Sequence, residues 1–323
     1  MTMTPEQATW FADVAGRIVT NVEQVLLGKT FVIRLAVTAM LSEGHLLLED
    51  VPGTGKTSMA RALAQSVQGS TNRIQFTPDL LPGDITGISV YDQRRQEFEF
   101  HRGPVFSNIV LADEINRASP KTQSALLEAM EESAITVDGV THRLAAPFMV
   151  IATQNPVEQA GTYRLPEAQL DRFLMKTSIG YPDHAATVKI LETSSAPASS
   201  VPIASVVPAA TITEMAAVAR TVHVDPTIAD YVARLVDATR SASEVRLGVS
   251  VRGAMGLMRA SRVFAAVSGR HYVTPDDVKA LAEPVLAHRL VLDAEAEFDG
   301  VSPSSVISQL LVETAPPADR AVA

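Results

Sequence analysis

Cysteine is absent from the 323 residues, which removes disulfides, thiolate chemistry and Cys-ligated zinc. The seven histidines are scattered, and no two are spaced as a metal-ligand pair. Positive charge is short as well: 27 Lys and Arg stand against 36 Asp and Glu, a formal net charge of -9. That balance argues against a chain that finds nucleic acid by bulk electrostatics, although a local basic stripe is compatible with it. Long hydrophobic runs are missing too, since no segment reaches the ~18 uninterrupted apolar residues of a spanning helix. The opening stretch MTMTPEQATWFADVAG has neither a basic n-region nor an apolar h-region. A cytoplasmic protein with no membrane insertion is the expectation.

What is present is ordinary globular material. A hydrophobic content of 46% over this length can form one large core or two smaller ones, and length favours about two domains. Phe11, Val14, Ile18, Val22, Val25 and Leu26 recur at helical spacing, pause at Gly28 and resume from Phe31 to Leu41, which predicts helix, turn and helix. The run His45-Leu46-Leu47-Leu48 then reads as a strand buried on both faces. Strands of the same buried type are expected at 73–76, 109–112, 148–152 and 173–175, with helical stretches such as Lys121 to Glu132 between several of them. A parallel sheet with crossover helices follows, giving an α/β domain over residues 1–182.

Two stretches break the alternation. GISVYDQRRQEFEFHRG, within 84–103, alternates as a polar-tipped hairpin, and AITVDGVTHRL, within 134–145, carries Asp138-Gly139 between β-prone arms. After Tyr181-Pro182 the chain becomes Ala-rich and helical in pattern, apart from the loop SSAPASSVPIASVVPAA. Asp225-Pro226 and Thr274-Pro275-Asp276-Asp277 read as helix starts. A small helical domain over 183–312 is expected, with a fraying tail over 313–323.

The chemistry concentrates at strand ends. DVPGTGKT matches GxxxxGK[S/T] except that Asp50 stands at the first glycine, a position where an aspartate tolerates left-handed backbone angles. In such a loop Gly53 and Gly55 turn backbone N–H groups toward phosphates, Lys56 reaches the β/γ oxygens and the Thr57 hydroxyl ligates magnesium. IVLADEINRA ends an apolar strand in two carboxylates; Asp113 at the tip can hold Mg2+ through water, and Glu114 can orient and deprotonate a water that attacks the γ-phosphate. In VIATQNP the amide of Asn155 either reaches the γ-phosphate or its attacking water, or caps a turn. Arg252 falls in the first turn of a helix capped by Ser250, where a cation opposes the macrodipole; a phosphate partner accounts for it.

Taken together, DVPGTGKT, LADEINRASPKTQSALLEAMEE, ATQNPVEQAGTYRLPEAQLDRF and SVRGAM closely resemble the MoxR family of AAA+ ATPases, over most of residues 20 to 310. The resemblance implies an AAA+ P-loop core followed by a small all-α lid domain, working as a ring homo-oligomer, usually a hexamer, with ATP and Mg2+ bound between subunits. On that pattern Pro52, Gly53, Thr54, Gly55, Lys56, Thr57 and Ser58 form Walker A, and Asp113 and Glu114 form Walker B. Asn155 matches sensor 1, Arg172 the arginine finger given to a neighbour's ATP, and Arg252 sensor 2. Leu26, Leu27 and Gly28 lie where similar proteins contact adenine. The two hairpins match inserts that face the pore or substrate. Proteins of this kind are thought to act as chaperones that mature other complexes, often with a partner bearing a von Willebrand A domain.

Two other classes fit parts of the pattern. A P-loop kinase would need a base for its acceptor, whereas the Asp113-Glu114 pair suits attack by water. A DNA-acting motor shares the core, yet Arg94, Arg95 and His101-Arg102 are its only candidate basic stripe.

Overall fold

The strongest apolar runs become the centre of a parallel sheet. A computed structural model describes residues 2–51, 53–155, 162–193 and 203–317. Helices α1 (Pro5–Glu23) and α2 (Thr30–Leu41) lead into β1 (Leu46–Glu49) and α3 (Lys56–Ser66). Next come β2 (Thr71–Gln75), the one-turn α4 (Pro82–Thr86), a hairpin of β3 (Gly87–Asp92) and β4 (Glu97–Arg102), then β5 (Ile109–Asp113) and α5 (Pro120–Glu132). A second hairpin, β6 (Ala134–Val137) and β7 (Val140–Arg143), precedes β8 (Met149–Gln154), α6 (Glu167–Leu170), β9 (Met175–Thr177) and α7 (His184–Thr193).

The sheet order is β2-β5-β8-β1-β9. Strands β5 and β8 are interior, and all five residues of β5 are buried. The expectation of a fully buried strand at 73–76 is corrected: β2 is an edge strand in which only Ile74 is buried. One neighbour instead of two leaves its polar side chains outside the core, consistent with the sequence Thr-Asn-Arg-Ile-Gln. On one side of the sheet Val110, Ala112, Val150 and Ala152 pack with Leu126, Leu127 and Met130 of α5 in a single buried cluster. Both insert hairpins form as expected, the second turning through Asp138 and Gly139, which both take positive φ.

The remaining elements are α8 (Ala209–Ala219), α9 (Pro226–Ser241), β10 (Val245–Leu247), α10 (Val251–Val267), α11 (Pro275–Leu286), β11 (Val291–Leu292), α12 (Ala294–Phe298) and α13 (Pro303–Glu313). Strands β10 and β11 add a small antiparallel ribbon to the helices expected there. The predicted helix starts hold: Asp225 caps α9, Ser250 caps α10, and Thr274 with Asp277 forms a capping box on α11. Ile228, Tyr231, Val232 and Leu235 form the buried face of α9.

The chain divides into two compact units. One comprises residues 16–173 and 177–213; the other comprises 1–15, 174–176 and 214–323. This partition differs from the sequence boundary at 182: residues 1–15 and 174–176 group with the helical unit, and 183–213 with the α/β unit. No helix among the described residues is long and apolar enough to cross a membrane.

Candidate functional site

Three parallel strands bring the 50–58 loop, the acidic pair and Asn155 to one end of the sheet. Strand β8 lies between β1 and β5 and pairs with each in parallel, so the segments after Glu49, Asp113 and Gln154 leave the sheet at the same end. The loop after β1 bends through Gly53 (φ 83°) and Gly55 (φ 93°), both left-handed, and opens directly into α3. Gly55 is the N-cap of α3 and supplies no side-chain hydrogen bond. Helices α5, α9, α10 and α13 contrast with it, because each is capped by the side chain of Ser119, Asp225, Ser250 or Ser302. An uncapped N-terminus keeps its orphan N–H donors and positive dipole end for an anion.

A Cβ at Gly55 would lie 2.8 Å from Leu26 Cδ1, which brings the α1–α2 turn against the loop. Leu26 is buried there, Leu27 is half-buried and Gly28 is exposed with φ 72°. Lys56 folds its ammonium onto the loop, donating to the carbonyls of Asp50 and Val51 at 3.2 and 3.3 Å. Thr54 is buried with its hydroxyl toward the Val51 carbonyl, and Thr57 and Ser58 are exposed in the first turn of α3. Pro52 lies outside the described residues.

Asp50 uses its side chain in a way the sequence did not predict. Its φ is not positive, so the tolerance for left-handed angles is not exercised. The carboxylate is buried and accepts the backbone N–H groups of Ile179 and Gly180.

The acidic pair sits in a dense polar network. Thr153, buried in β8, donates its hydroxyl to Asp113 Oδ1 at 2.6 Å and accepts the Glu114 backbone N–H at 2.9 Å. Arg73 Nη2 donates to Asp113 Oδ2 at 2.6 Å and to Gln75 Oε1 at 2.6 Å. The Gln75 amide in turn donates to Glu114 Oε2 at 2.8 Å, and Arg117 pairs with the same oxygen at 3.0 Å. Glu114 itself takes φ 57°, ψ 49°, a left-handed conformation that is rare for a residue of its size. Sequence reasoning missed Arg73, Gln75, Arg117 and Thr153. Only Thr153 left a readable signal, as a polar residue inside an otherwise apolar strand.

Asn155 is the first residue beyond β8, the strand that pairs with the β5 of Asp113. The preceding Gln154 is bound to Glu49 on β1 at 2.6 Å. Arg172 is part-exposed, with Nη1 held by the Leu127 carbonyl at 2.7 Å and by Glu131 at 2.9 Å, both on α5. Arg252 is exposed in the first turn of α10, within the other compact unit.

Comparison with known proteins places the chain in a family. Residues 45–175 match the family described as ATPase family associated with various cellular activities (AAA), and residues 237–310 match the AAA lid domain. The chain is 48% identical over 308 residues to the uncharacterized protein YeaC of Bacillus subtilis, covering 94% of this chain and 95% of that one. It is 42% identical to the chaperone MoxR1 of Mycobacterium tuberculosis, covering 95% and 83%, and 33% identical to the protein MoxR of Paracoccus denitrificans, covering 84% and 87%. A solved structure of a putative ATPase from Cytophaga hutchinsonii superposes with a TM-score of 0.89 at 36% identity, covering 97% of this chain and 98% of that one.

Proposed function

We propose a mechanism for the chain from the premise that it belongs to the MoxR family of AAA+ ATPases, with an ATP-hydrolysing core and a helical lid domain. The observation that carries the reading is the uncapped, glycine-opened start of α3 beside the Asp113-Glu114-Thr153 cluster. One element offers donors to phosphates, and the other offers carboxylates for a metal and a water.

In this reading the 53–58 backbone and Lys56 bind the triphosphate, and Leu26, Leu27 and Gly28 contact the adenine. Thr57 and Asp113 are hard oxygen donors of the kind magnesium takes, and they would hold that ion. Held there, the ion would supply positive charge to offset that of the triphosphate. Glu114 orients and deprotonates the attacking water, with Thr153 fixing its backbone and Gln75 and Arg117 fixing its carboxylate. Asn155 contacts the γ-phosphate or that water.

Arg172 acts on the nucleotide of a neighbouring subunit in a ring, a hexamer on the family pattern, and Arg252 senses phosphate from the lid. Turnover moves lid against core and remodels a client protein complex in the cytoplasm, with a von Willebrand A domain protein as partner. The chaperone character named for the Mycobacterium tuberculosis relative supports this assignment.

The test is the steady-state ATPase rate per subunit as protein concentration rises, for the wild type and Arg172→Ala. An arginine finger is worth roughly 10³ to 10⁵ in rate, so the wild-type rate should climb with assembly while the variant stays near baseline. A flat rate per subunit together with a harmless Arg172→Ala would mean that the site is complete in one chain.

A further inference from the structure

Asp50 stands where the loop motif asks for glycine, yet it does not use a backbone conformation that glycine would favour. What it does is join three elements. Its N–H continues the sheet by donating to the Gln154 carbonyl at 3.1 Å. Its carbonyl accepts the Lys56 ammonium at 3.2 Å. Its carboxylate, with the residue only 5% exposed, receives the Ile179 N–H in a short hydrogen bond and the Gly180 N–H at 3.2 Å. Charge-assisted bonds of this kind are stronger than neutral ones, and both donors are backbone groups that need a partner where they are buried.

The segment donating those bonds is held at a second point as well. Lys29 Nζ donates to the Tyr181 carbonyl at 2.7 Å. A Cβ on Gly28 would lie 3.6 Å from Asp183 Oδ2, and Asp183 caps the start of α7 by accepting the Ala186 N–H at 2.7 Å. Residues 179–183 therefore touch the phosphate loop through Asp50 and the 26–29 turn through Lys29. In sequence they are also the residues that lead into α7 and on toward the second unit.

We propose that Asp50 is a positioning residue of the nucleotide site. Its carboxylate, fixed by the Ile179 and Gly180 amides, sets the carbonyl that Lys56 holds, and the binding of a nucleoside triphosphate is thereby felt at residues 179–183. This rests on the nucleotide-site reading above. When Lys56 turns to a phosphate it releases the Asp50 carbonyl, and the hydrogen bonds from Ile179 and Gly180 readjust with it.

The test combines amide hydrogen exchange with titration of a fluorescent mant-ATP on the full chain. In the wild type, a non-hydrolysable ATP analogue should change exchange at Ile179 and Gly180. Asp50→Gly restores the glycine of the motif, yet it should speed exchange at those two amides and weaken mant-ATP binding, each by about tenfold or more. Asp50→Asn keeps an oxygen at the position both amides address, so it should fall between the two and nearer the wild type. The proposal is overturned if Asp50→Gly matches the wild type in exchange and affinity, or if the analogue leaves wild-type exchange at 179 and 180 unchanged. Should Asp50→Gly not fold, that wild-type comparison and Asp50→Asn decide. Failure of the underlying reading looks different: Lys56→Ala would then bind mant-ATP as tightly as the wild type, which removes the reading and the proposal together.

Discussion

Glu114 sits in a left-handed conformation that costs a non-glycine residue about 1–2 kcal/mol, and Thr153 is what holds it there. One hydroxyl serves both acids, donating to Asp113 while accepting from the Glu114 backbone. Thr153→Val keeps the shape and deletes both bonds. Its kcat for ATP is expected to fall on the order of 100-fold with a small change in KM, because a slight misplacement of a base is costly while nucleotide contacts persist. Glu114→Gln should still bind mant-ATP while hydrolysing it about 10² to 10⁴ times more slowly, as loss of a general base requires.

A second residue-scale case lies in the helical unit. The Tyr231 hydroxyl is buried with no hydrogen-bond partner among the described residues, and burial pushes its ionisation above the usual tyrosine range. The unfolded chain releases that proton near pH ~10, so Tyr231's contribution to stability is complete below that pH and lost as pH rises through the folded value. Tyr231→Phe is expected to raise unfolding free energy by about 0–1 kcal/mol at pH 7 and to lessen the alkaline loss, measured by urea denaturation across pH.

Among the elements, α11 depends most visibly on one side chain. Asp277, 2% exposed, accepts from the Thr274 N–H and hydroxyl at its cap and is gripped through both oxygens by Arg270, whose basicity its hydrogen bonds raise further. Asp277→Ala removes the cap and the pair together and is expected to cost about 3 kcal/mol, seen as a lowered Tm. This start was legible as Thr-Pro-Asp-Asp, whereas the Arg270 clamp was not, because side-chain pairing across a turn leaves no period in the sequence. The same holds at the site. The loop, the acidic strand tip and Asp138-Gly139 were readable because each is a local rule of backbone geometry or strand burial. Arg73 and Gln75 were not, since their role arises only when an edge strand is laid beside β5. The burial of β2 was misjudged for the same reason: a short sequence does not say which strand ends up at the edge.

At the scale of the whole molecule, a net charge of -9 weighs against a nucleic-acid substrate. Duplex DNA added at low salt is expected to leave the ATPase rate unchanged within twofold, a margin far below the effect of releasing an arginine finger. The partition into units bears on how the chain is made. The α/β unit draws wholly on residues 16–173 and 177–213, whereas the helical unit brings together residues 1–15, 174–176 and 214–323. During synthesis residues 1–15 leave the ribosome before the α/β unit, and their partners in 214–323 emerge only after it. The phosphate loop can therefore fold while the helical unit is still incomplete, and the opening turns of α1 wait for partners made much later in the chain.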